Sequence, residues 1–169
     1  MAIINKGDGS YGFVLETDGE DLVVRNVKTT WFGGDTDPDD SGETASGKRT
    51  KGNPDIMGCA LPMDLSIAAL ANQRPRNYPP TSGSGLPKIP WFTKLIVSNE
   101  DESITQEIEL IDIGPNKGAG SVAGFDLTPA AFVALGGKAD FKRNSGDMVC
   151  HYRIPGGVQY LPPDWVEGT

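Results

Sequence analysis

The sequence is poor in the residue types that metal, redox and disulfide chemistry needs. It has one histidine and two cysteines, Cys59 and Cys150, in 169 residues. Two cysteines cannot build a disulfide framework, and without a CxxC pair there is little basis for a zinc or iron site. Cys59 and Cys150 either form one long-range bridge, if the compartment is oxidising, or remain as two buried thiols. We expect no bound metal and no other cofactor.

Long apolar runs and positive charge are also scarce. No segment reaches the roughly 18 apolar residues of a membrane-spanning helix, and the first ten residues, MAIINKGDGS, lack the apolar core of a secretory signal. The net charge of −8 disfavours nucleic acid, because phosphate binding needs lysine and arginine. We therefore expect neither a nucleic-acid partner nor a membrane span. The expected location is the cell envelope or outside the cell if the protein is exported; the alternative is cytoplasmic synthesis followed by release with a particle or by lysis.

Glycine and proline, in contrast, are abundant. The chain has 22 glycines and 13 prolines, and 37% of its residues are hydrophobic. This composition is typical of a turn-rich β protein, and the length suits one domain with a real core. Apolar segments on both sides of Asp18-Gly19 predict a β-hairpin over residues 12–27, because this dipeptide favours a tight hairpin turn.

The remaining pattern is that of short strands with one clear helix. Residues 127–137 predict that helix, with Thr128 as N-cap, Pro129 in the first turn and Gly136 at the end. Further segments predict a second hairpin (91–99 with 103–114), a last strand (147–154), a short helix (65–73) and a loop (74–87). We predict an all-β fold with one or two short helices, closed or nearly closed into a barrel.

An acidic loop follows the first hairpin. Asp35, Asp37 and Asp39 alternate as in a calcium-binding loop. The glycine that such a loop needs at its sixth position is replaced by Asp40, and the twelfth position holds Ser46 instead of glutamate. A solvated surface loop is the favoured interpretation.

Asp112 stands near the end of an apolar strand, in LIDIGP. Alternation places it on the same face as Ile108 and Leu110, pointing inward, where an ionised carboxylate is costly unless it is paired. Apolar surroundings favour the protonated carboxyl group, which makes Asp112 a candidate general acid. The alternative is a turn cap ahead of Gly114-Pro115.

Asp126 lies just before the predicted helix. A helix N-terminus favours the ionised form of a carboxylate, so Asp126 is the candidate base or charge stabiliser. The alternative is that it only anchors the start of the helix.

Five short motifs occur in a characteristic order. They are residues 30–33 (TWFG), 44–47 (TASG), 58–62 (GCALP), 111–115 (IDIGP) and 125–136 (FDLTPAAFVALG). This order resembles the rare lipoprotein A-like family of septal-ring lytic transglycosylases, and more distantly the expansins and family 45 glycoside hydrolases. The resemblance covers about residues 28–154 and implies a six-stranded double-psi β-barrel. We therefore expect an N-terminal hairpin extension (1–27), the barrel (28–154) and a tail rich in proline and aromatic residues (155–169).

The resemblance also implies an activity, cleavage of peptidoglycan strands, with Asp112 and Asp126 as catalytic residues. The sequence departs from the family at two positions: Cys59 stands where the family has a histidine, and Ile113 where it has an arginine after the turn aspartate. Asp55 is a loose counterpart of an aspartate ahead of that histidine. The single histidine, His151, is expected to be a surface or packing residue opposite Cys150 rather than a replacement.

Aromatic and acidic residues complete the candidate substrate site. Trp31, Phe32 and Trp91 would stack on sugar rings, although core packing is the expected role of at least one of them. Asp35 and Asp55 are the acidic candidates for substrate binding.

Three hypotheses about function remain. The retained Asp112 and Asp126 favour a lytic transglycosylase. Cys59 favours either an expansin-like module that binds polysaccharide without cutting it, or a structural component of a phage-like or secretion particle. The expected partner is peptidoglycan or another polysaccharide, with protein partners through the N-terminal hairpin and the C-terminal tail.

Overall fold

The computed structural model describes residues 2–3, 14–35, 40–61, 89–113, 125–139 and 148–160. Within these ranges the chain forms strands β1 (Ala2–Ile3), β2 (Val14–Asp18), β3 (Asp21–Trp31), β4 (Gly58–Leu61), β5 (Lys94–Asn99), β6 (Thr105–Ile113), β7 (Phe125–Leu127) and β8 (Met148–Ile154), helix α1 (Pro129–Ala134) and a 3₁₀ helix (Gly157–Tyr160). The predicted helix over 65–73 and the loop over 74–87 lie outside the described residues.

Six of these strands close into a barrel. Their order is β3-β7-β4-β6-β5-β8, and β8 pairs back to β3. The pairs β3–β7 and β4–β6 are parallel, and the other pairs are antiparallel. The predicted all-β fold with a six-stranded barrel is confirmed. Because closure pairs both edges of every barrel strand, the barrel itself has no open sheet edge.

Strands β1 and β2 lie outside the barrel, whereas β3, the second strand of the N-terminal hairpin, is part of the barrel wall from Leu22 onward. Strand β2 pairs with the first half of β3, and β1 pairs with β2. The turn is one residue later than the sequence suggested, because Asp18 pairs with Asp21 and the loop is Gly19-Glu20. Gly19 has φ +61, as a type II′ turn requires at its first loop position. Strand β3 is continuous from the hairpin into the barrel.

The barrel interior is apolar. Cys150, Tyr152 and Ile154 of β8 face inward, and Met148 packs beside them. The fully buried large side chains are Leu22, Leu61, Ile89, Leu95, Ile108, Leu110, Ile111, Phe125 and Phe132.

His151 stabilises a bulge in β3. The pairing of β3 with β8 shifts between Val24 and Val27, and Asn26 in the bulge has φ +62. The Asn26 backbone N–H donates to Nδ1 of His151 at 3.0 Å, and Nε2 lies 2.9 Å from the Glu100 carbonyl oxygen. Nδ1 is therefore the acceptor and Nε2 the donor, which describes a neutral imidazole. His151 is a packing residue, as expected.

A second bulge lies in β6, and because of it Asp112 does not point in the predicted direction. Cys59 pairs with Leu110, but Ala60 pairs with Asp112, so β6 has one extra residue, Ile111. Leu110 and Ile111 are both fully buried, whereas Asp112 is half-buried and bonds to an exposed loop amide. The prediction that Asp112 points inward with Leu110 is wrong, because the bulge interrupts the alternation.

Helix α1 is shorter than the predicted segment. It begins at Pro129 and ends at Ala134, and Gly136 follows with φ +98. Thr128 occupies the N-cap position, but its side chain makes no cap bond. Its hydroxyl instead donates to the Ile56 carbonyl at 2.6 Å and accepts from the Gly58 N–H at 3.1 Å, which ties the helix start to β4.

Gly58→Ala should destabilise the protein. A Cβ at this position would lie 2.4 Å from Cδ1 and 2.8 Å from Cγ1 of Ile111. We expect the free energy of unfolding to fall by about 1–3 kcal/mol in urea denaturation, as for other overpacked sites. Ile111→Val removes Cδ1, so the double variant should lose less than the sum of the single losses. Strictly additive losses would contradict the proposed contact.

Candidate functional site

Strand β4 brings the two candidate catalytic aspartates to one row of the barrel wall. Ala60 pairs with Asp112 of β6 on one side and with Asp126 of β7 on the other. Two strand spacings therefore separate the Cα atoms of Asp112 and Asp126, about 10 Å. We call Asp112, Ala60 and Asp126 the aspartate row.

Asp126 is held by the strand next to it. It pairs with Thr30 in the parallel ladder of β3 and β7, and the Thr30 hydroxyl donates to Oδ1 of Asp126 at 3.0 Å. Its neighbours Phe125 and Leu127 are buried in the core, while Asp126 is half-buried. Alternation along β7 therefore directs Asp126 away from the core.

Asp112 is held by a turn from a distant part of the chain. The Ala45 N–H donates to Oδ1 of Asp112 at 2.9 Å, and the Ser46 N–H donates to the Ile111 carbonyl at 3.1 Å. The same turn is closed by the Gly47 N–H, which donates to the Thr44 carbonyl at 3.0 Å. The TASG motif thus lies directly against Ile111 and Asp112, although 67 residues separate Ala45 from Asp112.

Cys59 does not supply a proton donor or acceptor to this row. It is fully buried and belongs to the core, on the opposite side of β4 from Ala60. Burial, and then the nearby charge of Asp126, raise the pKa of the Cys59 thiol far above its usual value. At the position where the resemblance implies histidine, this protein has a neutral thiol. Cys59 and Cys150 are both free.

The predicted aromatic residues are divided between the core and the surface. Trp31 and Trp91 are partly buried and pack against the core. Phe32 is half-buried at the end of β3, where its N–H donates to the Leu127 carbonyl at 2.9 Å, one residue beyond Asp126. Phe92, which was not among the sequence candidates, is 45% exposed. Phe92 has φ +67, a backbone conformation that is uncommon for residues other than glycine and that the sequence does not predict.

Asp35 and Asp55 both belong to the loops on one side of the barrel. Asp35 accepts from the Gly52 N–H at 2.8 Å. Asp55 is exposed and lines a cavity of about 440 Å³ together with Lys48 and residues 52–54 and 56. Asp37 and Asp39, the other members of the predicted alternating set, lie outside the described residues.

Comparisons with protein-family models and with curated proteins give no match to this chain. Among the described residues, no helix is long and apolar enough to cross a membrane.

The row has the elements of acid–base chemistry. Two carboxylates lie on the same row of the barrel wall, each oriented by a hydrogen bond, and Ala60 between them is 2% exposed. The partners Thr30 and Ala45 were missed in the sequence because they depend on pairing between distant segments. The TASG motif was the signal that could have identified Ala45.

The two thiols should make the protein less stable in alkali. Burial raises the pKa of Cys150 from 9.0 to about 11 and raises that of Cys59 further. Between pH 9 and pH 11 the unfolded chain loses these protons while the folded chain keeps them. The free energy of unfolding should therefore fall as pH rises above 9, by up to about 1.4 kcal/mol per pH unit for each thiol. Urea denaturation between pH 8 and pH 11 measures this slope.

Cys59→Ala and Cys150→Ala should each flatten that slope, whatever they do to stability at pH 7. Tyr152, whose pKa burial also raises, adds its own loss above pH 10 in every variant. An unchanged slope in the double variant would contradict the assignment to the thiols.

Proposed function

We propose that this protein cleaves the glycan strands of peptidoglycan as a lytic transglycosylase, with Asp112 as general acid and Asp126 as base or charge stabiliser. The observation that supports the proposal is the pairing of both aspartates with Ala60, which puts two carboxylates on one row. A protein with this activity would work in the cell envelope or outside the cell.

The reaction needs one proton donor and one acceptor. Asp112 would protonate the oxygen of the glycosidic bond as that bond breaks. An internal hydroxyl of the N-acetylmuramic acid residue would then bond to the anomeric carbon in place of water and release its proton to a carboxylate. The product is a 1,6-anhydro sugar, and the proton count balances because one proton enters and one leaves.

The hydrogen bonds to the row support a positioning role for its neighbours. Thr30 and the Ala45 N–H each fix one oxygen of a carboxylate, at 3.0 Å and 2.9 Å. Fixed carboxylates matter because small displacements of catalytic groups reduce rates strongly.

A binding module that does not cut is the second candidate, and one observation favours it. Cys59 is buried and neutral, and His151 is bonded to Asn26 and Glu100 elsewhere in the barrel. The described part of the aspartate row therefore has no imidazole. In a binding module, Asp112 and Asp126 would accept hydrogen bonds from sugar hydroxyls.

Incubation with purified peptidoglycan, followed by mass spectrometry of the soluble products, tests the proposal. We expect anhydro-muropeptides from the wild-type protein, and a loss of about 10²-fold or more in Asp112→Asn and Asp126→Asn, because each removes one proton-transferring group. Asparagine keeps a carbonyl oxygen for the hydrogen bond from Ala45 or Thr30, so the fold should be kept.

Glu107→Gln is the matched control, because Glu107 lies on the same strand as Asp112 and its side chain is 61% exposed. It should cleave as the wild type does. Binding to the peptidoglycan pellet without any anhydro product would favour the binding module. The absence of both binding and anhydro product would contradict both candidate functions, cleavage and binding.

A further inference from the structure

Phe92 occupies a backbone position that glycine normally takes. The Thr93 N–H donates to the Pro90 carbonyl at 3.2 Å and closes a turn over residues 90–93, in which Phe92 is the third residue and has φ +67. A turn of this kind, type II, requires a positive φ at its third residue and therefore favours glycine there. Phenylalanine in this conformation is strained, because its Cβ crowds the following carbonyl oxygen.

The same residue begins a bulge where the chain enters β5. The Phe92 N–H donates to the Leu110 carbonyl at 2.8 Å, and the Leu110 N–H donates to the Thr93 carbonyl at 2.9 Å, so two residues oppose one. The first residue of such a bulge is left-handed and is typically glycine. The Thr93 hydroxyl adds a bond to the Pro90 carbonyl at 2.7 Å. Backbone hydrogen bonds therefore fix the direction of the Phe92 side chain.

The ring of Phe92 does not fill the core. Phe92 is 45% exposed, and it is not among the residues that form the core or pack against it. Its neighbour Trp91 does pack against the core. Backbone strain that the surrounding structure maintains is concentrated at sites of function, so a strained and exposed aromatic ring points to a contact outside the folded chain.

Phe92 lies close to the aspartate row. Strand β5 follows β6 in the order of the barrel, so the turn before β5 is the next element beyond Asp112 in the direction of the row. Phe92 and Thr93 both oppose Leu110, and Phe92 is the one nearer to Asp112 because β5 and β6 are antiparallel. The Cα atoms of Phe92 and Asp112 are therefore within about 9 Å of each other.

Lys48 shows that the Phe92 ring lies on the outer face of the barrel. Its ammonium is 5.2 Å from the centroid of that ring and 3.5 Å from a carboxylate oxygen of Glu109. Glu109 stands between two fully buried residues of β6, so its side chain points out from the wall. Asp112 also points away from the core. The ring and the carboxylate of Asp112 thus belong to the same surface.

We infer that the Phe92 ring is a stacking platform for a sugar ring of the glycan chain, one subsite beyond Asp112. The inference rests on the proposed function, because it takes the glycan to lie along the aspartate row. The C–H groups of a pyranose face are attracted by the negative face of an aromatic ring, and this contact needs no charge on the sugar. Because hydrogen bonds already fix the backbone of Phe92, little conformational entropy is lost when a sugar binds.

Isothermal titration of the full chain with chitohexaose, a linear hexamer of N-acetylglucosamine, tests the platform. This probe has no peptide and no charge, and it lacks N-acetylmuramic acid, the residue on which the proposed cleavage acts. Phe92→Leu and Phe92→Gly should each weaken its binding about three- to tenfold, because the aromatic contact is lost. Phe92→Trp keeps an aromatic face and should bind within about twofold of the wild type.

Thermal unfolding separates the loss of a contact from the loss of structure. Phe92→Gly relieves the left-handed strain, so its melting temperature should be no lower than that of the wild type although its affinity falls. The matched control for binding is Ile96→Ala, which shortens an apolar side chain of β5 that is 40% exposed. It should bind the hexamer as the wild type does.

The inference would be overturned if the wild type failed to bind the hexamer, or if Phe92→Leu and Phe92→Gly bound it with wild-type affinity. A melting temperature that falls with the affinity in both variants would also overturn it, since Phe92 would then be structural. Each of these results leaves the proposed cleavage intact if anhydro product still forms from peptidoglycan. Hexamer binding that depends on Phe92, in a protein that forms no anhydro product, would support the platform and contradict the cleavage.

Discussion

The pairing of β4 with β6 on one edge and β7 on the other is the constraint on which the candidate site depends. Strand β4 has four residues and all of them are buried, yet it sets the distance and register between the strands that carry Asp112 and Asp126. Ala60 pairs with Asp112 in the parallel pair β4–β6 and with Asp126 in the antiparallel pair β4–β7. The registers of these two pairs therefore place carboxylates from different motifs on one row.

The bulge at Ile111 directs Asp112 of the aspartate row away from the apolar interior. Regular alternation would put the carboxylate of Asp112 on the side of Leu110, in an apolar interior where an ionised group is costly. The extra residue moves Asp112 to the side where the Ala45 N–H can reach it, while Ile111 fills space beside Gly58. The burial of Ile111 and the position of Asp112 therefore depend on the same bulge. Bulges often redirect side chains near functional residues.

Local patterns were enough to predict the barrel, both hairpins and the start of α1, because turn dipeptides, alternation and N-cap residues act within a few positions. The motif order further predicted that Asp112 and Asp126 belong to one region. The bulges at Asn26 and Ile111 were not predictable, because a bulge is defined by the partner strand. The same holds for the bond from Thr30 to Asp126, which joins residues 96 positions apart. It also holds for the left-handed backbone of Phe92, whose N–H donates to the distant Leu110 carbonyl.

The two free thiols have a consequence for where this barrel can form. Cys59 and Cys150 are the only cysteines in the chain, and both are buried without a bond between them. Closure of the barrel through β3 and β8 thus involves no sulfur–sulfur link that thioredoxin or glutathione would break. The folded state is compatible with reducing and oxidising surroundings alike, so passage from one to the other needs no change in its covalent structure.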